Sequence, residues 1–311
     1  MATWPLALRA QEAARVYRLG VVFASQRTMR HHAAFFDELH VLGFAEGQNL
    51  KIDGGYGLRE EQIPEIVAAM AKSPPDVIFS SVDHYTRAVQ TALPSVPTIV
   101  LSGDLMAAGF VQSFSRPGGN ITGISLLNPE LDGKRQDILM EAAPGARRMA
   151  MLADPAAGVA TPAQLQILQN AARARGIEPV IFTVRTVEDI AAALDQAKAS
   201  GAAAVNFLSS PLFSTNRRIL IERTAALRLP AIYEWPEMAE EGGLIGYGAR
   251  LSGIFRQVAR QVVKVLRDVK PADIPVEQPT NFELVINLKA AQAIGHDIPA
   301  GLVLRADKLI E

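Results

Sequence analysis

The sequence predicts an α/β protein of two doubly wound, Rossmann-like lobes, joined by a hinge that the chain crosses several times. Two observations lead to this prediction. Apolar runs of strand length alternate with helical periodicity from Val16 onward, and the strand ends of the first half recur in the second half about 130 residues later. A chain of 311 residues, 49% of them apolar, is long enough for two hydrophobic cores.

The composition excludes several classes of protein. A net charge of -1 lacks the basic excess of nucleic-acid-binding proteins, so no nucleic acid partner is expected. The chain has no cysteine, which rules out disulfides, cysteine nucleophiles and thiolate metal sites. No apolar run reaches the roughly 18 residues that a membrane-spanning helix requires.

Strands and helices alternate through the first half of the chain. Continuous apolar runs predict buried parallel strands, and apolar residues at helical spacing predict the helices between them. In order, these elements are a strand at Val16–Phe23, a helix at Arg30–Leu42, a strand at Asn49–Ile52, a helix over Ile63–Met70, a strand at Asp76–Phe79, a helix at Tyr85–Leu93 and a strand at Thr98–Leu101.

The second half repeats this alternation. Its predicted elements are Met149–Leu152, a helix over Leu165–Ala172, Pro179–Phe182, a helix over Val187–Leu194, Ala204–Leu208, a helix at Asn216–Leu227, Ala231–Tyr233 and Leu244–Tyr247. The strand ends pair as Ala24 with Ala153, Leu50 with Val180, Ser80 with Ser209 and Gly103 with Glu234. This spacing is that of a duplicated α/β lobe rather than of a short solenoid repeat.

The remaining segments predict how the lobes are connected. Ser115–Asn120 has the proline and paired glycine of a turn or hinge, and a long amphipathic helix runs from Leu251 to Val269. Glu277–Leu288 is predicted to be extended, and Leu288–Ile294 to be a short helix. We therefore expect a first lobe of residues 15–119 with 250–278, and a second lobe of residues 120–249 with 279–311.

The first 14 residues read as a residual leader segment. Leu8-Arg9-Ala10 is typical of the end of a secretory signal cleaved after Ala10, although the charged start and most of the apolar stretch are missing. A frayed N-terminus of a cytosolic protein is the alternative.

The loops that follow the strands are the candidate binding positions, because ligands of open parallel sheets bind beyond the carboxyl ends of the strands. The residues chosen there are Ser25, Gln26, Ser81, Asp83, His84, Asp104, Asp154, Ser209, Phe213, Tyr233, Glu234 and Trp235. Ser25, Ser81 and neighbouring amides are expected to hold a carboxylate, and Asp104 or Glu234 an amine or hydroxyl. Trp235 and Phe213 are expected to shape an apolar end.

Each of these residues also has a plain structural explanation. Ser and Asp are ordinary helix caps, a loop-tip carboxylate can simply be solvated, and Tyr233 can belong to the core or the hinge. Catalysis has little support, since the chain lacks a G-x-S-x-G elbow, a P-loop and a zinc spacing. His31 and His32 are adjacent on a helix and are not expected to share a face. We expect no catalytic residue, no metal and no cofactor.

Several stretches together resemble a known family. They are Gly43–Leu50, Arg116–Gly123, Leu229–Tyr233, Glu241–Gly248 and Gln278–Asn287. They are similar to the substrate-binding proteins of ABC transporters that include the tryptophan/tyrosine-type importers, and the resemblance extends from Val16 to Ile310.

This resemblance implies the type I periplasmic binding protein fold, in which two α/β lobes close like a Venus flytrap on a small ligand. It also implies a periplasmic, monomeric protein that binds a small carboxylate, such as an aromatic amino acid, and delivers it to the transmembrane subunits of an ABC permease. The chain departs from the family pattern at Val82-Asp83-His84 and in the loop Ser25–Met29, where Arg27 could pair with a carboxylate.

Two alternatives remain open from the sequence. A cytosolic ligand sensor or regulator could use the same two-lobed fold, although no DNA-binding headpiece precedes the first lobe in this sequence. An enzyme would need a catalytic constellation in the cleft, for which His84 and Asp83 are the only candidates.

Overall fold

The computed structural model describes residues 15–158 and 160–311, so the predicted leader over residues 1–14 lies outside the described residues. The strands are β1 Tyr17–Val22, β2 Leu50–Gly55, β3 Val77–Ser80, β4 Thr98–Ser102, β5 Ile121–Ser125, β6 Arg148–Ala153, β7 Glu178–Thr183, β8 Ala204–Phe207, β9 Ala231–Tyr233, β10 Ile245–Gly248, β11 Glu283–Asn287 and β12 Lys308–Ile310. The α-helices are α1 Arg30–Val41, α2 Ile63–Lys72, α3 Asp83–Ala92, α4 Asn128–Ala142, α5 Pro162–Ala174, α6 Val187–Ala199, α7 Pro211–Thr215, α8 Arg217–Ala226, α9 Pro236–Glu240, α10 Leu251–Leu266, α11 Leu288–Ile294 and α12 Ala300–Val303.

The strands form two sheets with the same internal order. The first sheet runs β2-β1-β3-β4-β5, and the second contains the matching series β7-β6-β8-β9-β10. Within both series all neighbouring strands are parallel. The second sheet is extended by β11, which is antiparallel to β10, and by β12, which is parallel to β11. The identical order confirms that the fold consists of two doubly wound lobes.

The core of each lobe surrounds the central strands of its sheet. Every residue of β3 and β4 is buried, as expected for parallel strands that helices cover on both faces. In the first lobe, α10 packs along α1, and Ile254, Phe255 and Val258 are buried in the same cluster as Phe35. The amphipathic pattern that predicts α10 in the sequence therefore corresponds to the face that contacts the first lobe.

The chain crosses between the lobes three times. It leaves the first sheet after β5 for α4, which packs on β8 and β9 of the second sheet, and it returns after β10 as α10. The third crossing follows Glu277, which pairs with Ile124 beside β5 before the chain enters β11. The predicted boundary at Asn120 lies too early, because Ile121–Ser125 pairs with β4 and belongs to the first sheet.

No helix in the two described ranges is long and apolar enough to cross a membrane.

The packing of the first sheet requires a glycine at position 54. The φ of Gly54 is +104°, and a β-carbon on it would lie 2.0 Å from the Val21 carbonyl oxygen of the neighbouring strand. Because this neighbour is backbone, Gly54→Ala should lower the free energy of unfolding by roughly 2 kcal/mol or more. Urea unfolding followed by circular dichroism measures the change.

Gly133→Ala is the matched control. Gly133 lies inside α4, and a β-carbon there would meet no atom within 4 Å. This substitution should leave stability unchanged or raise it by about 0.5–1 kcal/mol, because alanine favours helix more than glycine does. Equal effects of the two substitutions would contradict the packing described for Gly54.

Candidate functional site

A cleft of about 630 Å³ lies between the carboxyl edges of the two sheets. This volume is in the range of small-molecule binding sites. Its first-lobe wall comes from the segments that follow β1 to β5, and its second-lobe wall from the segments that follow β6 to β9, with Leu251 and Phe255 of α10 completing it. Below, this space is called the interlobe cleft.

Nine of the residues chosen from the sequence line the interlobe cleft, and both walls contribute to them. They are Ser25, Gln26, Ser81, Asp83, His84, Asp154, Ser209, Glu234 and Trp235. The cleft therefore lies at the strand ends, where ligands of open parallel sheets bind.

Three chosen residues lie outside the cleft lining, and their predicted ligand contacts are not supported. The Asp104 carboxylate accepts hydrogen bonds from the backbone N–H groups of Met106 (2.9 Å) and Ala107 (3.0 Å), so it caps its own turn. Phe213 and Tyr233 are buried in the core. The Tyr233 hydroxyl lies 2.7 Å from Thr224 Oγ1, which places its ring in the sheet and helix packing rather than in the cleft.

A buried charged cluster lies behind the second-lobe wall. The Arg135 guanidinium donates to Asp132 Oδ1 (2.7 Å) and to Ser209 Oγ, and both charged side chains are almost completely buried. Asp132 Oδ1 also accepts from the backbone N–H and the hydroxyl of Ser209, both at 3.1 Å. The ion pair thus fixes Ser209, which lines the cleft at the end of β8.

Glu234 is the carboxylate of this cluster that faces the cleft. Burial raises its pKa to about 7, and the charge of Asp132 acts in the same direction, whereas Arg135 opposes the shift. Arg135, the cation that stabilises an ionised Glu234, already forms an ion pair with Asp132. A cation arriving from the cleft would supply Glu234 with a partner of its own.

The charges that line the cleft are mostly negative. Six carboxylates line it, from Glu60, Glu61, Asp83, Asp154, Glu188 and Glu234, against three guanidinium groups, from Arg59, Arg185 and Arg217. Arg217 is paired with Glu241 at the second-lobe side. The lining therefore attracts a ligand that carries a positive group.

Apolar side chains also line the cleft. Trp235, Phe255, Leu251 and Leu212 all belong to the lining. Trp235 is only 7% exposed, and its indole Nε1–H has no acceptor among the residues that the structure describes. A buried N–H group without an acceptor is unfavourable, so this donor suits a ligand oxygen placed against the ring.

The helices that begin at the cleft differ between the lobes. In the first lobe, α1 and α3 start without a side-chain cap, so their first N–H groups remain available. In the second lobe, Asp154 accepts from the Ala156 N–H, and Ser210 accepts from the Leu212 N–H. Helix α9 of the second lobe also starts without a side-chain cap, at Trp235, but it carries Glu237 in its first turn, which disfavours an anion there.

Of the two uncapped helices of the first lobe, α1 and α3, the start of α1 is better suited to a ligand anion. The first turn of α3 already carries the carboxylate of Asp83, whose pKa burial raises, whereas the first turn of α1 contains no acidic residue. An anion at α3 would meet the charge of Asp83, and an anion at α1 would not.

Ser25 and two histidines lie together at the start of α1. His32 is completely buried, and its Nε2 lies 2.8 Å from Ser25 Oγ, while His31 Nε2 lies 3.4 Å from the same oxygen. The expectation that adjacent histidines do not meet on one face is wrong here, because both rings turn toward Ser25 and pack against Phe255 at 4.4 and 5.2 Å between centroids. Burial lowers the pKa of His31 to about 3 and that of His32 to about 4.

The two walls approach each other closely in this structure. Arg217 Nη1 of the second lobe lies 3.5 Å from Met29 Sδ of the first. A β-carbon on Gly158 of the second lobe would lie 3.7 Å from Asp83 Oδ2 of the first. A ligand in the cleft would therefore be within reach of both lobes.

Sequence reasoning missed Asp132, Arg135 and Phe255 as parts of the site. Asp132 and Arg135 lie three residues apart on α4, a spacing at which opposite charges meet, and this was the available signal. Phe255 was assigned only to the apolar face of α10, although it reaches the cleft as well. Within the described residues, no group of three or more His, Asp or Glu side chains is arranged to hold a metal ion.

Comparisons with known proteins agree with this architecture. A family model described as ABC transporter substrate binding protein matches residues 22–310. Among curated proteins, a tyrosine-binding protein of Clostridioides difficile is 22% identical over 266 residues, which are 84% of this chain and 75% of that protein.

Two solved structures are similar over nearly the whole chain. A conserved domain protein from Vibrio cholerae matches with a TM-score of 0.85 at 21% identity, covering 95% of this chain and 100% of that one. An ABC domain in complex with L-tryptophan from Streptococcus pneumoniae matches with a TM-score of 0.82 at 20% identity, with coverage of 95% and 100%. These likenesses confirm the predicted type I periplasmic binding protein fold.

The buried ion pair can be tested by a double-mutant cycle. Arg135→Met leaves Asp132 buried without its cation, and Asp132→Asn leaves Arg135 without its ion-pair partner, so each should cost about 3–5 kcal/mol of stability. The double variant should lose less than the sum, because neither member of the pair is left without the other. Urea unfolding of the four proteins measures the coupling, and additive losses would contradict the pairing.

Proposed function

This chain belongs to the family of ABC transporter substrate binding proteins, and we propose that it is an extracytoplasmic receptor that binds an amino acid, preferably an aromatic one, in the interlobe cleft. The observation that carries the proposal is the position of Glu234. It is a buried carboxylate at the cleft, and the cation that acts on it, Arg135, is already paired with Asp132. A ligand ammonium supplies Glu234 with a partner of its own.

The two walls together match both ends of an amino acid. Glu234 favours the ammonium on the second-lobe side. The start of α1, which has no side-chain cap and no acidic residue in its first turn, favours with Ser25 the carboxylate on the first-lobe side. Trp235, Phe255 and Leu212 provide apolar surface for the side chain. The tyrosine-binding relative and the L-tryptophan complex of a similar structure support an aromatic side chain.

Binding would close the lobes, since a ligand held at both ends contacts both walls only in the closed form. We propose that the closed monomer then delivers the amino acid to the transmembrane subunits of an ABC permease. In this role the protein releases its ligand unchanged and acts in the periplasm.

Ligands that lack one charged end provide the first test. The unmodified protein should bind L-tryptophan or L-tyrosine more tightly than indole-3-propionate, which lacks the ammonium group. Glu234→Gln should weaken binding of the amino acids by about 10- to 100-fold, because it removes a charge-assisted hydrogen bond, and should not weaken binding of indole-3-propionate. Isothermal titration calorimetry and ligand-induced thermal shifts measure both effects.

Asp104→Asn is the matched control for Glu234→Gln. Asp104 also follows a central strand, but its carboxylate caps a turn outside the cleft lining. This variant should bind amino acids as the unmodified protein does. A wild-type protein that binds no aromatic amino acid, or a Glu234→Gln variant with unchanged affinity, would overturn the proposed function.

The affinity for an amino acid should depend on pH through Glu234. The pKa of this carboxyl is about 7 in the free protein, and an ammonium binds its ionised form. Below pH 7 a proton must therefore leave before the ligand binds, so affinity should fall by up to about tenfold for each pH unit, and it should level off above pH 7. His31 and His32, with pKa values of about 3 and 4, do not titrate between pH 5 and 8.

Calorimetric titrations between pH 5 and 8.5 measure this profile. Glu234→Gln should flatten it, whereas Asp104→Asn should retain it. A profile in the Glu234→Gln variant with the same slope as in the unmodified protein would assign the dependence to another group.

A further inference from the structure

We propose that His32 is a positioning residue that donates a hydrogen bond from Nε2 to Ser25 Oγ and thereby fixes the Ser25 hydroxyl as a donor to a ligand carboxylate. The inference rests on the proposed function, because it concerns the carboxylate end of the same ligand. In this proposal the fully buried side chain of His32 determines that the first-lobe wall of the interlobe cleft binds a carboxylate.

The tautomer of His32 follows from the surroundings of its two ring nitrogens. The pKa of His32 is lowered to about 4 by burial, so the ring is neutral and carries one N–H. Nε2 lies 2.8 Å from Ser25 Oγ, whereas Nδ1 is buried and has no hydrogen-bond partner among the described residues. A buried N–H left without an acceptor is the less common arrangement in folded proteins. We therefore place the hydrogen on Nε2.

The rings around His32 hold it in this orientation. Phe23, Tyr56 and Phe255 lie 4.8, 5.2 and 5.2 Å from it between centroids, the last two edge to face. None of these three rings carries a carboxylate that could accept from Nδ1. Packing against the rings therefore fixes the rotation of the imidazole. An imidazole held at Nε2 alone differs from the base of a Ser–His–Asp triad, whose Nδ1–H is bonded to a carboxylate.

The direction of the Ser25 hydroxyl follows from the tautomer of His32. A serine hydroxyl has one hydrogen to donate and can accept at its lone pairs. With Nε2–H of His32 donating to Oγ, the hydrogen of Ser25 is free to point elsewhere, and Ser25 lines the cleft. His31 Nε2 is its nearest internal acceptor, at 3.4 Å, which is a long distance for an O–H bond. An ionised carboxylate in the cleft is a stronger acceptor.

The opposite tautomer would reverse the preference of the site. If Nδ1 carried the hydrogen, Ser25 would donate to His32 and present only lone pairs to the cleft. The start of α1 would then offer an acceptor, suited to an amine rather than to a carboxylate. The position of one proton on His32 therefore decides which end of an amino acid the first lobe holds.

Paired ligands test the proposal. L-tryptophan and tryptamine differ only in the carboxylate, so the ratio of their affinities measures how strongly the cleft prefers it. Ser25→Ala should reduce this ratio by about tenfold, through weaker binding of L-tryptophan, and should leave tryptamine within about twofold. Retained binding of tryptamine shows that the variant cleft is folded.

Variants of His32 separate positioning from packing. His32→Met fills a similar volume without a donor and should reduce the L-tryptophan to tryptamine ratio as Ser25→Ala does. His32→Gln places an amide donor near the former Nε2 and should restore part of the ratio. In a Ser25→Ala background, His32→Met should cause no further loss, because the two residues act through one hydroxyl.

Nitrogen-15 spectra of histidine-labelled protein report the tautomer directly. We expect the Nε2–H form of His32 both without ligand and with L-tryptophan bound. The Nδ1–H form, or an unchanged affinity ratio in both Ser25→Ala and His32→Met, would overturn the inference.

The outcomes also distinguish this inference from the proposed function. If the unmodified protein binds no amino acid, the proposed function fails. If amino acids bind and Glu234→Gln weakens them while the Ser25 and His32 variants keep the carboxylate preference, only the role of His32 is wrong.

Discussion

The carboxyl edges of two parallel sheets face one space, and every feature of the candidate site depends on this constraint. Parallel strands must be joined by crossover helices, so each strand of the series ends in a loop and most of these loops lead into a helix at the same edge. Across the interlobe cleft, the loop after β1 meets the segment after β8, and the start of α3 after β3 meets the segment after β6. The chain passes between the lobes three times, so three segments join the two walls.

The duplicated lobes have diverged in the electrostatics of their walls. The second-lobe wall has a buried ion pair behind it and presents Glu234, which shares the charge of Arg135 with Asp132. The first-lobe wall contains the carboxylates of Glu60, Glu61 and Asp83, but its helix α1 starts without a cap or an acidic residue, beside His31 and His32, which burial keeps uncharged. A zwitterion would therefore be favoured with its ammonium at Glu234 and its carboxylate at α1, which gives the cleft a direction that the symmetry of the fold alone would not provide.

The sequence predicted the parts of the fold that depend on apolar patterning. The central strands β1, β3, β4, β6, β8 and β9 and the helix α10 follow apolar patterns, and their positions were recognised, whereas β5 and β12 were not predicted. Helix α4 was not predicted, because the face it buries includes Asp132, Arg135 and Gln136, and a polar buried face gives no amphipathic pattern. The strand Ile121–Ser125 was assigned to the second lobe because its sequence follows a hinge-like turn, and only its pairing with β4 reveals its sheet.

The site was predictable to the level of loops but not of side chains. A residue after a strand can turn into the cleft, as Glu234 does, cap its own turn, as Asp104 does, or pack inward, as Phe213 does. Which of these three positions a side chain takes depends on the loop conformation, and the hydrophobic periodicity of the sequence does not predict that conformation. The meeting of His31 and His32 at Ser25 likewise depends on where α1 begins relative to β1, and spacing on an ideal helix misses it.

Because the proposed ligand contacts are divided between the two walls, closure of the lobes would distinguish an amino acid from a molecule that lacks one charged end. A ligand shifts an equilibrium between open and closed lobes only by the difference in its affinity for the two forms. A molecule with an ammonium alone contacts Glu234 equally well in either form and gains little from closure. A molecule with both charged ends would gain its second set of contacts only when the lobes meet, so the arrangement proposed to bind an amino acid would also make the closed form specific to it.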